Sequence, residues 1–520
     1  MGHLFVAHGD LTKLACDAIL VPCDSAGNVN AAWRDVLPAG LPASRLDPGW
    51  LVLPDKPNEG VIDLHSVDGR PVWAFVTVDI DRDATPDEVV DRTWAAVEHV
   101  AGQITAREGR AASLIGLPLP GTGHGGLRTR RAEVINALLE RHRATTLDVD
   151  VALVCSDRRD FAAVQERRRD DDWRDLSDEL RSHADRLGRL AAHGELSLFL
   201  GAGVSKPVGL PDWWELLKTL AKEAGADAPA GDDPYRAAEP IIEKLGDGRH
   251  QAIRRLLDKQ LHGVGHALLA SIDVRRMVTT NFDSCMETAL KAPAGEGFRV
   301  LTRQLAAGGS RWLLKINGDV DQPDSIVLTE GDLKRYPDER KALEGVVQTL
   351  LLTSHLLFVG FSLTDKNFLA MAEAVSKVRA RARDRESSKP GTALALTAKG
   401  LERAQYKDLD MLSMGAESSE KGARILEIFL DRLVWAASTQ SELATEYLLD
   451  KRYASGLSER DRALRDLLLE MVNTATPEAR SSSGWKRVEE CLHSLGYAET
   501  AHRSPFRAAV SSGGCNSWWV

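Results

Sequence analysis

Four clusters of glycine and small polar residues recur along the middle of the chain, each directly after an apolar run. They are Gly201-Ala202-Gly203-Val204-Ser205, Thr279-Thr280-Asn281-Phe282-Asp283, Lys315-Ile316-Asn317-Gly318-Asp319 and Gly360-Phe361-Ser362-Leu363-Thr364-Asp365. Glycines at a strand-to-helix turn let the backbone approach a ligand closely, and the N-terminus of the following helix attracts phosphate. Asparagine and aspartate at the same rim can hold hydroxyls and water. One such turn is an ordinary feature of an α/β protein. Four in succession converge on the carboxyl ends of the strands, where doubly wound sheets bind their ligands. The chemistry this favours is nucleotide recognition.

A second candidate lies nearer the start. In "ASLIGLPLPGTGHGGL" an apolar run leads into Gly121, Thr122, Gly123, His124, Gly125 and Gly126, and the helical pattern "RRAEVINALLERH" follows. A glycine row between strand and helix leaves backbone N–H groups open to a diphosphate. Upstream, "GDLTKLACDAILVPCDSAGN" supplies Asp10, Leu11, Asp24 and Asn28.

The elements that must position these residues read as two α/β series. In the first, "DAILVPCD", "PVWAFVTVDI", "ASLIGLPLP" and "VDVALVCSD" are strands, with "PDEVVDRTWAAVEHVAGQI" and "RRAEVINALLERH" as helices. The stretch "QERRRDDDWRDLSDELRSHADRLGRLAAHG" is dense in charge and carries an apolar stripe of Trp173, Leu176, Leu180 and Leu187. It reads as a helical connector whose charged face is solvated. In the second series, "LSLFLG", "RRMVTTNFD", "RWLLKING", "HLLFVGFS" and "TALALT" alternate with helices, the pattern of a parallel sheet covered on both faces. His262 and His266 precede its second strand; either could serve as a base, but they read first as surface or helix-packing residues. The divisions are 1–168, a connector 169–194, a second α/β domain 195–437 and a helical C-terminal region 438–520.

Bulk properties narrow the function classes. The 520 residues are 43% hydrophobic and 27% charged with a net charge of −10, so nucleic acid is not the expected partner. No run of 18 apolar residues and no leader pattern is present, which points to the cytoplasm and away from membranes. The six cysteines never form a CxxC pair, which argues against a zinc ribbon or a disulfide framework, and no metal is expected.

Residues of about 195–385 resemble the sirtuin-like NAD-consuming family, in particular its bacterial antiphage-defence branch, through "GAGVS…GLPDW", "TTNFD", "KINGD" and "LLFVGFSLTDKNF". The resemblance implies a Rossmann-like parallel-sheet domain with NAD as substrate. Gly201, Ala202, Gly203, Val204 and Ser205 would cradle the pyrophosphate, with Pro211 and Asp212 beside them. Thr280, Asn281 and Asp283 would sit by the nicotinamide ribose, and Gly360, Phe361, Ser362 and Asp365 by the adenosine half. The four-cysteine zinc module of deacylating sirtuins is absent, which favours water as the acceptor. Where the family carries histidine, in "KIHGD", this chain has Asn317. An amide can orient a hydroxyl but accepts no proton at neutral pH.

Residues of about 1–168 are similar to the macro domain, which implies an α/β fold that recognises ADP-ribose-like nucleotides. By that resemblance Asp10 would contact adenine, the loop Gly121–Gly126 the phosphates, and Asp24 and Asn28 a ribose; His124 would line the pocket. The pairing resembles defence effectors of the Thoeris type. It implies an NAD hydrolase with Asn281, Asn317 and Asp283 as catalytic residues, switched by an ADP-ribose-like signalling nucleotide and working as a homo-oligomer. The other class is a weak or inactive NAD-binding subunit beside a partner ATPase or nucleotide-signal synthase.

Overall fold

Aliphatic runs need burial on both faces, and they obtain it here in two separate sheets. The computed structural model describes residues 2–37, 60–67, 70–79, 81, 83–123, 126–294, 297–302, 311–335, 337–381, 389–399 and 408–498. The first sheet contains β1 (Leu4–His8), β2 (Ala18–Asp24), β3 (Val61–Val67), β4 (Arg70–Val78), β5 (Leu114–Leu117) and β6 (Asp150–Cys155). Their order is β1-β6-β5-β2-β4-β3, parallel throughout except for the antiparallel β3–β4 pair. Helices α1 (Pro86–Ala101), α2 (Arg131–Ala144) and α3 (Arg158–Arg167) pack around it. Helix α1 starts where Thr85 and Glu88 satisfy each other's backbone N–H groups in a capping box.

The charged stretch after α3 keeps most of its charges in solvent, Arg169, Asp170, Asp171, Arg174, Asp175, Asp178 and Glu179 being exposed, while its apolar stripe packs inward. Helix α4 (Asp178–Ala192) buries Leu180, Ala184 and Leu187 against the long helix Ser419–Thr439. Two side chains ahead of it are also drawn inside. Arg168 and Trp173 are both buried and both donate to Asp431 of the long helix, Trp173 Nε1 at 2.8 Å and Arg168 at 2.9 Å through one guanidinium nitrogen and 2.5 Å through the other. His3 Nε2 and the Val6 amide reach the same carboxylate at 2.9 and 3.0 Å. Nearby, Arg424 pairs with buried Asp150 and Arg110 with buried Glu427. The first sheet, the connector and the long helix therefore share one core. The reason is long-range ion pairing, which a local charge pattern does not encode.

The second sheet contains β7 (Leu196–Leu200), β8 (Arg276–Thr279), β9 (Phe298–Val300), β10 (Arg311–Lys315), β11 (His355–Val359), β12 (Gly391–Ala395) and β13 (Asp410–Ser413), in the order β13-β12-β11-β7-β8-β10-β9 and wholly parallel. The chain begins at β7, builds towards β9, then crosses back to lay β11 on the other side of β7. That reversal is a topological switch point, and the crevice beyond its strand ends is the place for a ligand. Helices α5 (Trp213–Ala224), α6 (Pro234–Leu245), α7 (Arg249–Leu257), α8 (Val264–Ser271) and α9 (Cys285–Ala294) fill the long connections among β7, β8 and β9. Helices Glu459–Thr474 and Ser483–Ser494 follow the long helix. Among the described residues no helix is long and apolar enough to cross a membrane.

The two α/β units meet at α8. Leu14 and His262 form a parallel bridge: the Ala15 amide donates to His262 O at 2.8 Å and the His262 amide to Lys13 O at 2.9 Å. Buried Arg70 fixes that segment by donating to Thr12 O and Leu14 O. At the far end of α8, Ser271 Oγ accepts from the His8 amide at 2.9 Å.

Candidate functional site

At the switch point, the turns after β7 and β11 lie backbone against backbone. A Cβ on Gly201 would sit 2.5 Å from Gly360 O, one on Gly203 2.8 Å from Gly360 Cα, and one on Gly360 2.5 Å from Val204 N. Gly360 also has φ +65, a conformation L side chains rarely adopt. The amides of Gly201 and Gly203 donate to Val359 O and Gly360 O, and those of Val204 and Ser205 close the turn on Gly201 O and Ala202 O. The glycines expected to approach a ligand are engaged with each other.

Beside this contact Ser205 is a hub. Its Oγ, in a residue only 2% exposed, donates to Asp283 Oδ2 at 3.0 Å and receives Asn281 Nδ2 at 3.2 Å and His266 Nε2 at 3.3 Å. A hydroxyl has one proton and two lone pairs, so Ser205 is saturated. Asn281 Nδ2 also donates to Gly201 O at 3.2 Å, which fixes the amide's orientation and leaves Oδ1 buried without a hydrogen-bond partner. Asp283 is committed twice: Oδ2 to Ser205, and Oδ1 to the Cys285 amide at the start of α9. Sequence reasoning put His266 among helix-packing residues; the structure places it on Ser205. Histidine, aspartate and cysteine donor atoms of His266, Asp283 and Cys285 lie within 4.8 Å of one another, but the first two already hydrogen-bond Ser205 and burial pushes the Cys285 thiol up, keeping it protonated.

Asn317 lies on the neighbouring strand end. The last register pair of β8 and β10 is Thr279 with Lys315, and Asn281 and Asn317 each follow two residues past it, in the turns beyond the two strands. Asn317 is 2% exposed and its Nδ2 is buried without a partner. The turn is anchored from below by Lys315, which sequence reasoning missed. Its fully buried ammonium donates to Phe282 O, Asp283 O, Glu287 Oε1 and Asp319 Oδ1 at 2.6–3.3 Å. Burial pulls this group down, but the Glu287 and Asp319 carboxylates win and hold it above its ordinary value. A lysine ending an apolar strand is the one signal that pointed to it.

The other residues expected here divide between rim and scaffold. Asp212 caps α5 through the Glu215 amide, with Pro211 half-buried just before it. The Thr280 amide donates to Leu200 O. Asp365 caps the helix Lys366–Arg381 through the Asn367 and Phe368 amides and accepts from the Tyr235 hydroxyl at 3.3 Å. Exposed Ser362 bonds Thr364. Phe361 packs on Phe199 with ring centroids 4.7 Å apart, as part of the aromatic core.

The family model described as "SIR2-like domain" matches residues 275–410. These residues resemble a SIR2-like domain. The match spans β8 to the start of β13, so the matched residues include Asn281, Asp283, Asn317 and Gly360, while Gly201–Ser205 lie before them in the same crevice. NAD(+) hydrolase ThsA of Enterococcus faecium is 31% identical over 191 residues, 35% of this chain and 40% of that protein. The Acinetobacter baumannii protein of the same name is 28% identical over 193 residues, covering 35% and 39%. Defense-associated sirtuin 2 of Bacillus subtilis is 26% identical over 200 residues, covering 36% and 20%. The matches span no more than about two fifths of these relatives' length. Among solved structures, a macrodomain of Oceanobacillus iheyensis with ADPR aligns at 17% identity and TM-score 0.22, over 31% of this chain and 90% of its own.

The second candidate site opens at the carboxyl ends of β2, β4, β5 and β6 as a cleft of about 1240 Å³. Asp24, Asn28, Gly121, Thr122, Gly123 and Gly126 line it. Asp24 holds its own turn, accepting from the Ala26 and Asn28 amides and from Asn28 Nδ2. Arg131, at the base, pairs with buried Asp160. Asp79, Asp81 and Asp83 face the same space. His124 and Gly125 lie outside the described residues. Asp10 and Leu11 do not line the cleft. The Asp10 carboxylate caps the turn Leu11–Lys13 through Thr12, and Leu11 is buried against Gly116.

Burial also sets a pH limit. His8, His142, His262, His266 and His355 are each lowered from 6.5 to about 4, mainly because burial disfavours the charged ring. Above about pH 6.5 these rings are neutral in both folded and unfolded chain. Between 6.5 and 4 the unfolded chain takes up protons that the folded chain refuses, so stability is complete above 6.5 and is lost as pH falls. The thermal midpoint is expected to drop steadily from pH 7 to pH 5, with several protons taken up on unfolding. A flat midpoint across that range would contradict this assignment.

Proposed function

We propose that the chain hydrolyses NAD to nicotinamide and ADP-ribose as an effector of antiphage defence, and that a nucleotide bound in the N-terminal cleft gates it. The observation that carries this reading is the pair of orphaned buried atoms just past two neighbouring strand ends, the Asn281 Oδ1 acceptor and the Asn317 Nδ2 donor. A buried polar group without a partner calls for an explanation, and at the strand ends of a switch point a bound ligand supplies one. A ribose hydroxyl both donates and accepts, as does the attacking water. In this mechanism Asn281 Oδ1 takes the hydrogen of one of these and Asn317 Nδ2 steadies the ribose oxygen. The bond from nicotinamide nitrogen to the ribose then breaks with its electron pair passing to the nicotinamide, which leaves neutral, and water adds to the oxocarbenium-like ribose carbon and gives up its proton to solvent. The names of the relatives, NAD(+) hydrolase ThsA, support the substrate.

With the amides of Gly201, Gly203, Val204 and Ser205 already engaged, a pyrophosphate held by several amides of that turn would have it part from Gly360, and a resting state of that kind suits a gated enzyme. The division at 168, 194 and 437, a homo-oligomer, a partner protein of the defence system and a cytoplasmic setting belong to the same reading. In the cleft, the aspartates Asp79, Asp81 and Asp83 would repel phosphate, so the diphosphate belongs on the glycine side.

The test is to incubate the full chain with NAD, alone and with ADP-ribose or related nucleotides, and measure nicotinamide. Release that a nucleotide raises supports the reading. No release under any nucleotide favours the second reading, an NAD-binding subunit without turnover, for which the observation is Asn317, an amide that accepts no proton at neutral pH. The cleft has its own check. A Cβ on Gly123 meets nothing within 4 Å, so Gly123→Glu adds bulk and charge without strain. It is expected to abolish the rise in thermal midpoint that ADP-ribose gives the full-length chain. An undiminished rise would remove the glycine loop from the site.

A further inference from the structure

Serine, histidine and aspartate meet at Ser205, yet their connections are not those of a nucleophilic triad. In such a triad the aspartate orients the histidine, and the histidine takes the serine proton. Here Asp283 accepts from Ser205 directly, and His266 Nδ1 is occupied by the Gly263 amide at 3.3 Å. An Nδ1 that accepts leaves the ring proton on Nε2, which faces Ser205 Oγ at 3.3 Å. His266 therefore donates to the serine. It is 1% exposed and its ring is kept neutral by burial, at about 4, so this tautomer persists throughout the neutral range.

We infer that His266 is a positioning residue: its Nε2–H fixes Ser205, Ser205 fixes the Asn281 amide, and Asn281 Oδ1 is thereby aimed into the crevice. Each link follows from valence. With one lone pair of Ser205 held by His266 and its proton on Asp283, a single acceptor site remains, and Asn281 Nδ2 fills it at 3.2 Å. Without the histidine, Ser205 can rotate away from the Asn281 amide, which then keeps only its bond to Gly201 O, and Oδ1 is held from one side instead of two. His266 rides on α8, whose entry is paired with the first α/β unit through Leu14 and His262, so the aim of Asn281 is referenced to that unit. This inference rests on the NAD-hydrolase reading for its kinetic consequence but not for its geometry.

The experiment compares His266→Phe, which keeps a planar ring without a donor, with His266→Gln, whose terminal amide can reach Ser205. In nicotinamide release by the full chain, His266→Phe is expected to lower kcat by about 10²-fold with KM for NAD changed less than about 3-fold, the loss typical of a displaced reacting group. His266→Gln is expected to recover kcat to within about 10-fold of the parent. Equal losses in both variants, or a change confined to KM, would overturn the inference. A second measurement separates it from the reaction itself. In a chain labelled at asparagine, the Asn281 side-chain amide, assigned by its disappearance in Asn281→Ala, is expected to exchange slowly in the parent and in His266→Gln and fast in His266→Phe. That contrast stands whether or not NAD is cleaved, and equal exchange in all three refutes the relay. A parent chain that releases no nicotinamide yet keeps the contrast would sink the hydrolase reading alone.

Discussion

Asn281→Ala is expected to lower nicotinamide release by at least about 10²-fold while leaving the chain folded. The magnitude is that of removing one preorganised polar group from the reacting centre. Folding is expected to survive because the change removes a buried acceptor that already lacks a partner, which offsets the lost bonds to Gly201 O and Ser205 Oγ. A thermal midpoint within a few degrees of the parent, together with lost turnover, is the signature. Retained turnover would take Asn281 out of the mechanism. Asn317→His acts in the opposite direction. A neutral imidazole supplies a base that the amide lacks and is expected to raise turnover by about 10²-fold, the low end for general base catalysis, because burial lowers its pKa as it does for His266. Asn317 is 2% exposed, so the larger ring also costs about 1–3 kcal/mol in overpacking. Faster turnover with a lower midpoint is therefore the expected pair of results. A lower midpoint with no gain would mean that catalysis needs no base at this position.

The largest loss of stability is expected from Asp431→Ala. The Asp431 carboxylate is fully buried and receives His3, the Val6 amide, Arg168 and Trp173. Burial alone would raise its pKa, but Arg168 and His3 outweigh it and hold the group far below the usual carboxylate range. Removing it leaves the Arg168 guanidinium, itself 5% exposed, without its counter-charge. Breaking a buried pair from one side costs about 3–5 kcal/mol, a large share of the total stability of most domains. The variant is expected to unfold at much lower denaturant. The double change Asp431→Leu with Arg168→Met is expected to regain a good part of the loss, because it removes both charges. A single Asp431→Ala that unfolds with the parent would show the node to be dispensable.

Much of the second sheet is legible in the sequence because β7, β8, β10, β11 and β12 are short aliphatic runs closed by glycine or polar turns. Strand β9 has only Phe298–Val300 and β13 only Asp410–Ser413, too little pattern to separate from a loop. In the first unit, β1 and β3 escape for a related reason: their pairing partners, β6 and β4, define them more than their own alternation does. The candidate site divides the same way. Asn281 and Asn317 stand out as polar residues closing apolar strands. The role of His266 depends on Ser205, 61 residues earlier, and the burial of Arg168 depends on Asp431, 263 residues later, and no local window contains either pair. The glycines of Gly201–Ser205 are recognisable as needing to be glycine. Their use against Gly360 is a property of the switch point, where two distant turns become neighbours.

The carboxylate of Asp431 reaches the first sheet from a helix made 263 residues after Arg168. At the usual pace of synthesis, about 5–20 residues per second, that is a wait of roughly 13–50 seconds. Throughout it, the nascent N-terminal unit holds His3, Arg168 and Trp173 without the acceptor they converge on, and Asp150 without Arg424. That unit cannot reach its final packing on emergence from the ribosome. It must be completed from behind, once every strand of the second sheet, and with them the crevice, has already been made. Synthesis order thus makes the joining of the two nucleotide-shaped units a late event, and a chain truncated before the long helix would carry the strand ends of the crevice without the clasp that fastens the N-terminal unit to it.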